Sequence, residues 1–258
     1  MHIPKSAISL KDKPQAQLRL GLQGPPASGK TTSSLTFPNP IVADFDGGLT
    51  QFAGSDILHI PFYDPEFIEK IMDCKITDKA IFPNRKKALI KFLQLDALKF
   101  TQEQTLILDS WTAIQTAFDF QTNAEPKYTQ QGKIDEYAFW AEKIEYSEKV
   151  MVYLCSLKCN VVVTLHESSI RDPHTGQLME KLAPLMQGKF VAQLKRWFTD
   201  FFRMISEEKK NKEGKVDKIE YFWQIRSDNK FDAKTRLKNI PDGIFRCEPH
   251  YKIFEQYK

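Results

Sequence analysis

The sequence predicts an α/β fold whose sheet is mostly parallel and flanked by helices. Three observations carry that expectation. Short apolar runs alternate with stretches of helical periodicity along most of the chain. One such run, Leu18 to Leu22, feeds directly into a glycine-containing loop that precedes a helical pattern. Val161 to Leu165 is continuous and largely β-branched, as expected of a strand buried on both faces.

The elements follow in order from these patterns. Leu18 to Leu22 is the first strand. A helix starts near Lys30 and stops before Pro38, because a proline disfavours helix in the residue ahead of it. Ile41 to Phe45 and Ile57 to Phe62 are the second and third strands, and helical segments follow over Pro65 to Cys74 and Pro83 to Phe100. Thr105 to Leu108 is a fourth strand ending at Asp109. Asp135 to Leu157 is the longest helical pattern, with Phe139, Trp140, Ile144, Val150, Met151, Leu154 and Leu157 spaced to form a buried stripe. Beyond Leu165 the pattern changes. Ser168 to Arg171 and Gln177 to Leu182 flank Asp172-Pro173-His174-Thr175-Gly176 and read as a hairpin. Lys189 to Phe198 reads as a helix. Phe201 to Ile205 and Ile219 to Arg226 read as strands joined by the charged turn Lys209 to Lys215, a C-terminal antiparallel addition to the sheet edge. With no internal repeat and no long linker, residues 1–258 read as a single domain with a short N-terminal tail over 1–16.

Composition narrows the classes. Hydrophobic residues are 41% and charged residues 27%, ordinary for a globular protein. No stretch approaches the roughly 20 apolar residues of a membrane helix. Met1 to Pro14 is polar and lacks the apolar core of a signal peptide, so the chain reads as cytoplasmic. The net charge of +4 and pI of about 8.7 permit nucleic-acid binding without requiring it. The four cysteines, Cys74, Cys155, Cys159 and Cys247, form no disulfide framework. Cys155 and Cys159 share a helical spacing but lack two further ligands at zinc spacing, so they read as buried free thiols.

Gly24-Pro25-Pro26-Ala27-Ser28-Gly29-Lys30-Thr31 matches G-x-x-x-x-G-K-[ST] without departure. The chemistry explains each position. The loop wraps phosphates with backbone N–H groups pointing inward. Gly24 and Gly29 allow conformations and close approaches that a Cβ would block. Lys30 reaches the β- and γ-phosphates, Thr31 offers a hydroxyl to Mg²⁺, and Thr32 continues the helix whose N-terminus faces the phosphates. The expected ligand is therefore ATP with Mg²⁺.

Such a loop needs a carboxylate at the end of another strand to hold Mg²⁺. Asp109, after Leu106-Ile107-Leu108, is the candidate, with capping of the next helix as its other reading. The residue after it is Ser110, where many ATPases of the AAA+ type carry a catalytic glutamate. A water-activating carboxylate must then come from elsewhere, and the candidate segment is Asp44-Phe45-Asp46-Gly47-Gly48. Asp44 and Asp46 share a face if the strand extends through them. The alternative is an Asp-Gly turn, and spacing alone leaves both open.

Together the phosphate loop, Asp109-Ser110 and Asp46-Gly47-Gly48 resemble RecA-type ATPases. More closely they resemble the phage-encoded nucleotide-binding proteins that include RecA-like single-strand annealing proteins. Val161 to His166 followed by Glu167, Ala183 to Lys189, and Lys234-Thr235-Arg236 with Pro241 extend the similarity from Leu18 to Pro241. The resemblance implies a RecA-like P-loop NTPase core and the following roles. Asp46 stands where a glutamate polarises the attacking water, and being shorter it implies slower hydrolysis. His166 senses the γ-phosphate. Lys234 and Arg236 reach a neighbouring subunit's γ-phosphate in a homo-oligomeric ring or filament. A single-stranded DNA-contacting loop lies over Ser168 to Gln187, where Arg171, His174, Lys181 and, just beyond, Lys189 supply cations. Lys127, Tyr128 and Lys133 mark a second loop of the same kind. A phage single-strand-binding protein is an implied partner, and the host cell cytoplasm the implied location.

Three functions follow from these readings. The first is a DNA-transacting ATPase for recombination or annealing. The second is a small-molecule kinase, for which no arginine-rich lid is present. The third is a nucleotide-gated loader or binding module with little hydrolysis, kept open by Asp46.

Overall fold

The computed structural model describes residues 17–75, 81–124, 127–171, 178–186, 190–211, 214–242 and 246–257. Alternation along the apolar strands decides the architecture, because successive side chains point to opposite faces of a sheet. Ala43, Leu106, Leu108, Val161, Val163, Leu165 and Phe201 enter one core, and Leu20, Leu22, Val42, Ile107, Val162, Phe202 and Met204 enter a second. Both faces of the sheet are therefore covered, which is how a parallel sheet is stabilised.

The parallel strands are β1 (Arg19–Gly24), β2 (Pro40–Asp44), β3 (Leu58–Pro61), β4 (Thr105–Asp109), β5 (Asn160–Arg171) and β7 (Asp200–Lys210). Antiparallel β8 (Val216–Gln224) and β9 (Arg246–Cys247) extend the sheet beyond β7, giving the order β3-β2-β4-β5-β1-β7-β8-β9. β6 (Leu178–Pro184) pairs antiparallel with the far end of β5. The expected α/β class, mostly parallel sheet and C-terminal antiparallel addition are all present.

The first core is closed by α2 (Pro65–Met72), α3 (Ile81–Leu95), α4 (Trp111–Ala124), α5 (Glu136–Ser156) and α6 (Phe190–Leu194), which contribute Ile68, Leu89, Trp111, Val150, Leu154 and Phe190 among others. The second core is closed by Phe37, by Trp223 of β8 and by α7 (Ile253–Gln256), whose Phe254 stacks on Phe202 at 5.9 Å. No helix among the described residues is long and apolar enough to cross a membrane.

Several expected boundaries shift for physical reasons. The first helix, α1, spans only Lys30–Ser34. Ser33 and Ser34 turn their hydroxyls back onto the Lys30 carbonyl, and Thr36 does the same to Ser33, so side chains compete with the helical ladder ahead of Pro38. The second strand runs over Pro40–Asp44 and so stops one residue short of the expected Phe45. β5 continues past Leu165 to Arg171, because β6 supplies the ladder there. The helix expected over 189–198 is shorter, and a 3₁₀ turn over Lys195–Trp197 follows it. All the cysteines are free thiols, and of the two expected to be buried Cys159 is buried and Cys155 half-buried.

The centre of β1 holds a glycine because of its neighbour. A Cβ on Gly21 would lie 2.4 Å from the buried ring of Phe201 on β7. Gly21→Ala is therefore expected to lower unfolding free energy by about 1–3 kcal/mol. Urea denaturation would detect this as a reduced midpoint with an unchanged slope.

Candidate active site

The phosphate-type loop leaves the carboxyl end of β1, at the centre of the parallel sheet. Gly24 ends the strand with no room for a side chain, since a Cβ would meet Ser28 Oγ at 2.9 Å and Met204 at 3.0 Å. Gly29 sits at φ +86°, where other residues are strained, and its Cα packs under Tyr221. These two positions force the loop to curl, and Lys30 folds back inside the curl. Its ammonium is 3.0 Å from the Gly24 carbonyl oxygen and 2.6 Å from that of Pro25, and the residue is only 6% exposed. Burial lowers its pKa to about 8, against the opposing pull of Asp109, Glu167 and Asp46.

Asp109 stands at the end of β4, and β4 is not the neighbour of β1: β5 lies between them. The gap is bridged by hydroxyls. Thr31 Oγ1 donates to Asp109 Oδ2 at 2.7 Å, and Thr164 of β5 donates to Asp109 Oδ1 at 2.5 Å. The two readings of Asp109 separate here. Ser110 Oγ accepts from the Ala113 N–H and caps α4, while the Asp109 carboxylate is turned to Thr31. The Asp109–Ser110 peptide is cis.

The acidic segment after β2 divides into two tasks. Asp44 is buried, and its Oδ1 accepts from the N–H groups of Asp46 at 3.0 Å and Gly47 at 2.8 Å. It thus holds the turn, so of the two readings that spacing left open for this segment the turn is the one that occurs. The strand ends between them, and Gly47 at φ +70° carries the chain away. Asp46 instead reaches the cleft and accepts from Ser110 Oγ at 2.8 Å. Burial of its carboxylate raises its pKa, the Ser110 hydrogen bond opposes this, and Asp109 adds to it.

His166 pairs in register with Gly24 and lines the same cleft. Its backbone N–H donates to Thr112 Oγ1 at 3.2 Å, and its buried Nδ1 has no partner among the described residues. Burial first, and Lys30 second, lower its pKa, so the ring is neutral at pH 7. The whole cleft has a volume of about 420 Å³ and runs from Asp46, Asp109 and His166 past Lys30, Thr31 and Thr32 to Thr36, Tyr221 and Pro249.

The remaining expected residues lie elsewhere. Lys234 bridges to Phe201, and its ammonium is held by the carbonyls of Lys195 at 3.0 Å and Phe198 at 2.6 Å. Arg236 is exposed and lines a separate hollow with Leu18, Asn160 and Asp200, at the amino ends of the strands and so at the opposite edge from the loop. Lys181 is exposed on β6. Arg171 ends β5, with its side chain outside the described set, and His174 and Lys189 lie outside the described residues. In the second loop, Tyr128 bridges to Ile134, and Lys127 pairs with Glu142 at 2.9 Å.

The geometry suits a magnesium-bound triphosphate. Among the described residues no cluster of three or more His, Cys, Asp or Glu side chains forms a cage. Magnesium favours the opposite arrangement, one or two protein oxygens completed by phosphates and water. Thr31 and Asp109 provide such a pair. The buried Ser28 hydroxyl has no partner among the described residues, and it sits in the loop where phosphate oxygens would accept from it.

A family model described as "AAA domain" matches residues 16–237. The chain belongs to this AAA domain family. The match takes in the loop, Asp46, Asp109, His166 and Lys234 to Arg236 of the AAA domain. A comparison with curated proteins found no match. Among solved structures, the AAA domain chain is similar to a prototypical ATPase from the type III secretion system of pathogenic bacteria, at 11% identity and a TM-score of 0.41, over 77% of this chain and 53% of that one. It is also similar to the flagellar accessory protein FlaH from Methanocaldococcus jannaschii, at 12% identity and a TM-score of 0.37, over 83% of this chain and 79% of that one. The chain thus spans about half the length of the first of these.

Sequence reasoning missed Thr164 and Tyr221. Thr164 carried a signal, a lone hydroxyl inside the apolar run Val161 to Leu165. Tyr221 carried none, since it reaches the loop only through strand pairing far along the chain.

The Lys30 ammonium titrates near pH 8, so triphosphate affinity should be constant at lower pH. It should fall as pH rises through 8, by at most about tenfold per unit, because the bound state holds the proton that the free site loses. Equilibrium binding of ATP from pH 6.5 to 9.5 would show this, and Lys30→Met should flatten the profile.

Proposed function

We propose that this protein is a magnesium-dependent ATPase of modest rate, and that it couples ATP binding or hydrolysis to single-stranded DNA as a homo-oligomer. The observation that supports hydrolysis most is the convergence of Lys30, Thr31, Asp109, Asp46 and His166 on one cleft from four different segments. Lys30 would carry charge of the β- and γ-phosphates, and the N–H groups of the loop would orient them. Thr31 and Asp109 would hold Mg²⁺, which neutralises charge that develops on the transferred phosphoryl group. Asp46 would accept a proton from the attacking water, and its raised pKa brings it nearer the range useful to a general base. Ser110 fixes the orientation of that carboxylate. His166, neutral and with a free buried nitrogen, would register the γ-phosphate.

The DNA part of the reading rests on topology and charge. β5 leaves the cleft at His166 and continues directly into the β5–β6 hairpin, where Lys181 is exposed. A change at His166 would be carried along one strand toward the exposed Lys181. The net charge of +4 agrees with a polyanionic partner. Recombination or strand annealing in a phage context is the biological role this combination suits. Lys234 and Arg236, at the sheet edge opposite the loop, would complete a neighbouring subunit's site only in a head-to-tail assembly.

A second reading, a nucleotide-gated binding module with negligible turnover, is favoured by the short Asp46 side chain and its engagement by Ser110. Steady-state hydrolysis with and without single-stranded DNA separates the two. We expect DNA-stimulated turnover that Lys30→Ala abolishes. Asp46→Asn should lower turnover by about 10²-fold while ATP affinity stays within a few-fold of the parent. Tight Lys30-dependent binding with no turnover would favour the module.

A further inference from the structure

Beside the cleft lies a charged cluster that the catalytic reading does not use. Gln23, Glu167 and Arg203 project from β1, β5 and β7, three adjacent strands, on one face of the sheet. Arg203 grips Glu167 with both arms of its guanidinium, Nε to Oε2 at 2.9 Å and Nη2 to Oε1 at 2.8 Å. Gln23 Nε2 adds a donor to Oε2 at 3.3 Å. The Glu167 side chain is 8% exposed and that of Arg203 20%, so the pair is poorly screened.

Its location is the informative point. Gln23 immediately precedes Gly24, whose carbonyl holds the Lys30 ammonium, and Glu167 immediately follows His166, which pairs with Gly24. A carboxylate beside a site built for three phosphates is unfavourable unless neutralised. It would repel the ligand and compete for Lys30. Glu167 acts on the Lys30 ammonium and favours its charged form.

We propose that Arg203 is a positioning residue for the nucleotide reaction: it neutralises Glu167 and holds it away from Lys30, so that the loop presents net positive charge to the triphosphate. This rests on the nucleotide reading of the cleft. A simple fastener between β5 and β7 would have a different signature. Removing either partner of a fastener weakens the site, whereas removing the two charges of this pair has opposite effects.

The test is the ATP dissociation constant of the full chain, measured by competition with a fluorescent ATP analogue, alongside thermal unfolding. Arg203→Gln should weaken binding by about tenfold, because the buried carboxylate is left uncompensated. Glu167→Gln should bind as tightly as the parent or more tightly, and the double variant should return to within about threefold of the parent. Arg203→Lys, which keeps the charge but not the fork, should stay near the parent. The Arg203→Gln defect should shrink in high salt. Weakening of about tenfold in Glu167→Gln, or a double variant no better than Arg203→Gln, would overturn the proposal and leave a structural fastener. Lys30→Ala is measured in parallel. Binding unaffected by Lys30→Ala would overturn the nucleotide reading and this inference with it. Lys30-dependent binding with the wrong sign pattern would overturn this inference alone.

Discussion

The Asp109 carboxylate ties together, at their carboxyl ends, three elements that the sheet sets side by side. One oxygen accepts from Thr31 at the head of α1, and the other from Thr164 in β5. Asp109 itself closes β4, so the loop, the interposed strand and the acidic strand are held in one register. Ser110 follows Asp109 and therefore places its hydroxyl on Asp46, which brings in the turn after β2. His166 follows Thr164 by two residues on the same face of β5 and comes to lie beside Gly24. Each oxygen of this buried carboxylate accepts from a hydroxyl, which offsets part of the cost of burying its charge.

Burial sets the charge balance of the cleft. The Lys30 ammonium is buried with backbone carbonyls as its bonded partners, at a cost that appears as a pKa of about 8. Asp46 is pushed toward protonation by the same burial, and His166 is kept neutral. An anionic ligand would relieve the first of these, because a phosphate beside Lys30 replaces hydration that the loop excludes. The Glu167–Arg203 pair belongs to the same balance. It keeps one further carboxylate from cancelling the loop's positive field.

Much of this was legible in the sequence, and the reasons for what was not are specific. The eight residues Gly24 to Thr31 announce themselves because their spacing is dictated by backbone geometry, and φ +86° at Gly29 is the conformation that the spacing demands. The strands were legible because both faces are buried, which produces continuous apolar runs such as Val161 to Leu165. The order of the strands was not, since parallel pairing leaves no local mark. Hence the insertion of β5 between β1 and β4, and with it the role of Thr164, emerged only from the fold. Asp44 and Asp46 illustrate the limit differently. Two carboxylates at a spacing of two predict a shared face only while the strand continues, and Gly47 ends it. Tyr221 reaches the cleft from a hairpin that no motif connects to the loop. The covering of the second core by Phe254 shows a similar limit, because a four-residue helix such as α7 leaves too short a periodicity to read.

The central claim is that this cleft is a Mg²⁺-triphosphate site organised by Lys30 and by the Thr31–Asp109 pair. Calorimetric titration of the full chain with ATP, in the presence and absence of Mg²⁺, tests it most directly. The account predicts one saturable site per chain, weakened by removal of Mg²⁺ and lost in Lys30→Ala. Heat of binding that is absent, or that is equal with and without Mg²⁺ and unchanged in Lys30→Ala, would contradict it.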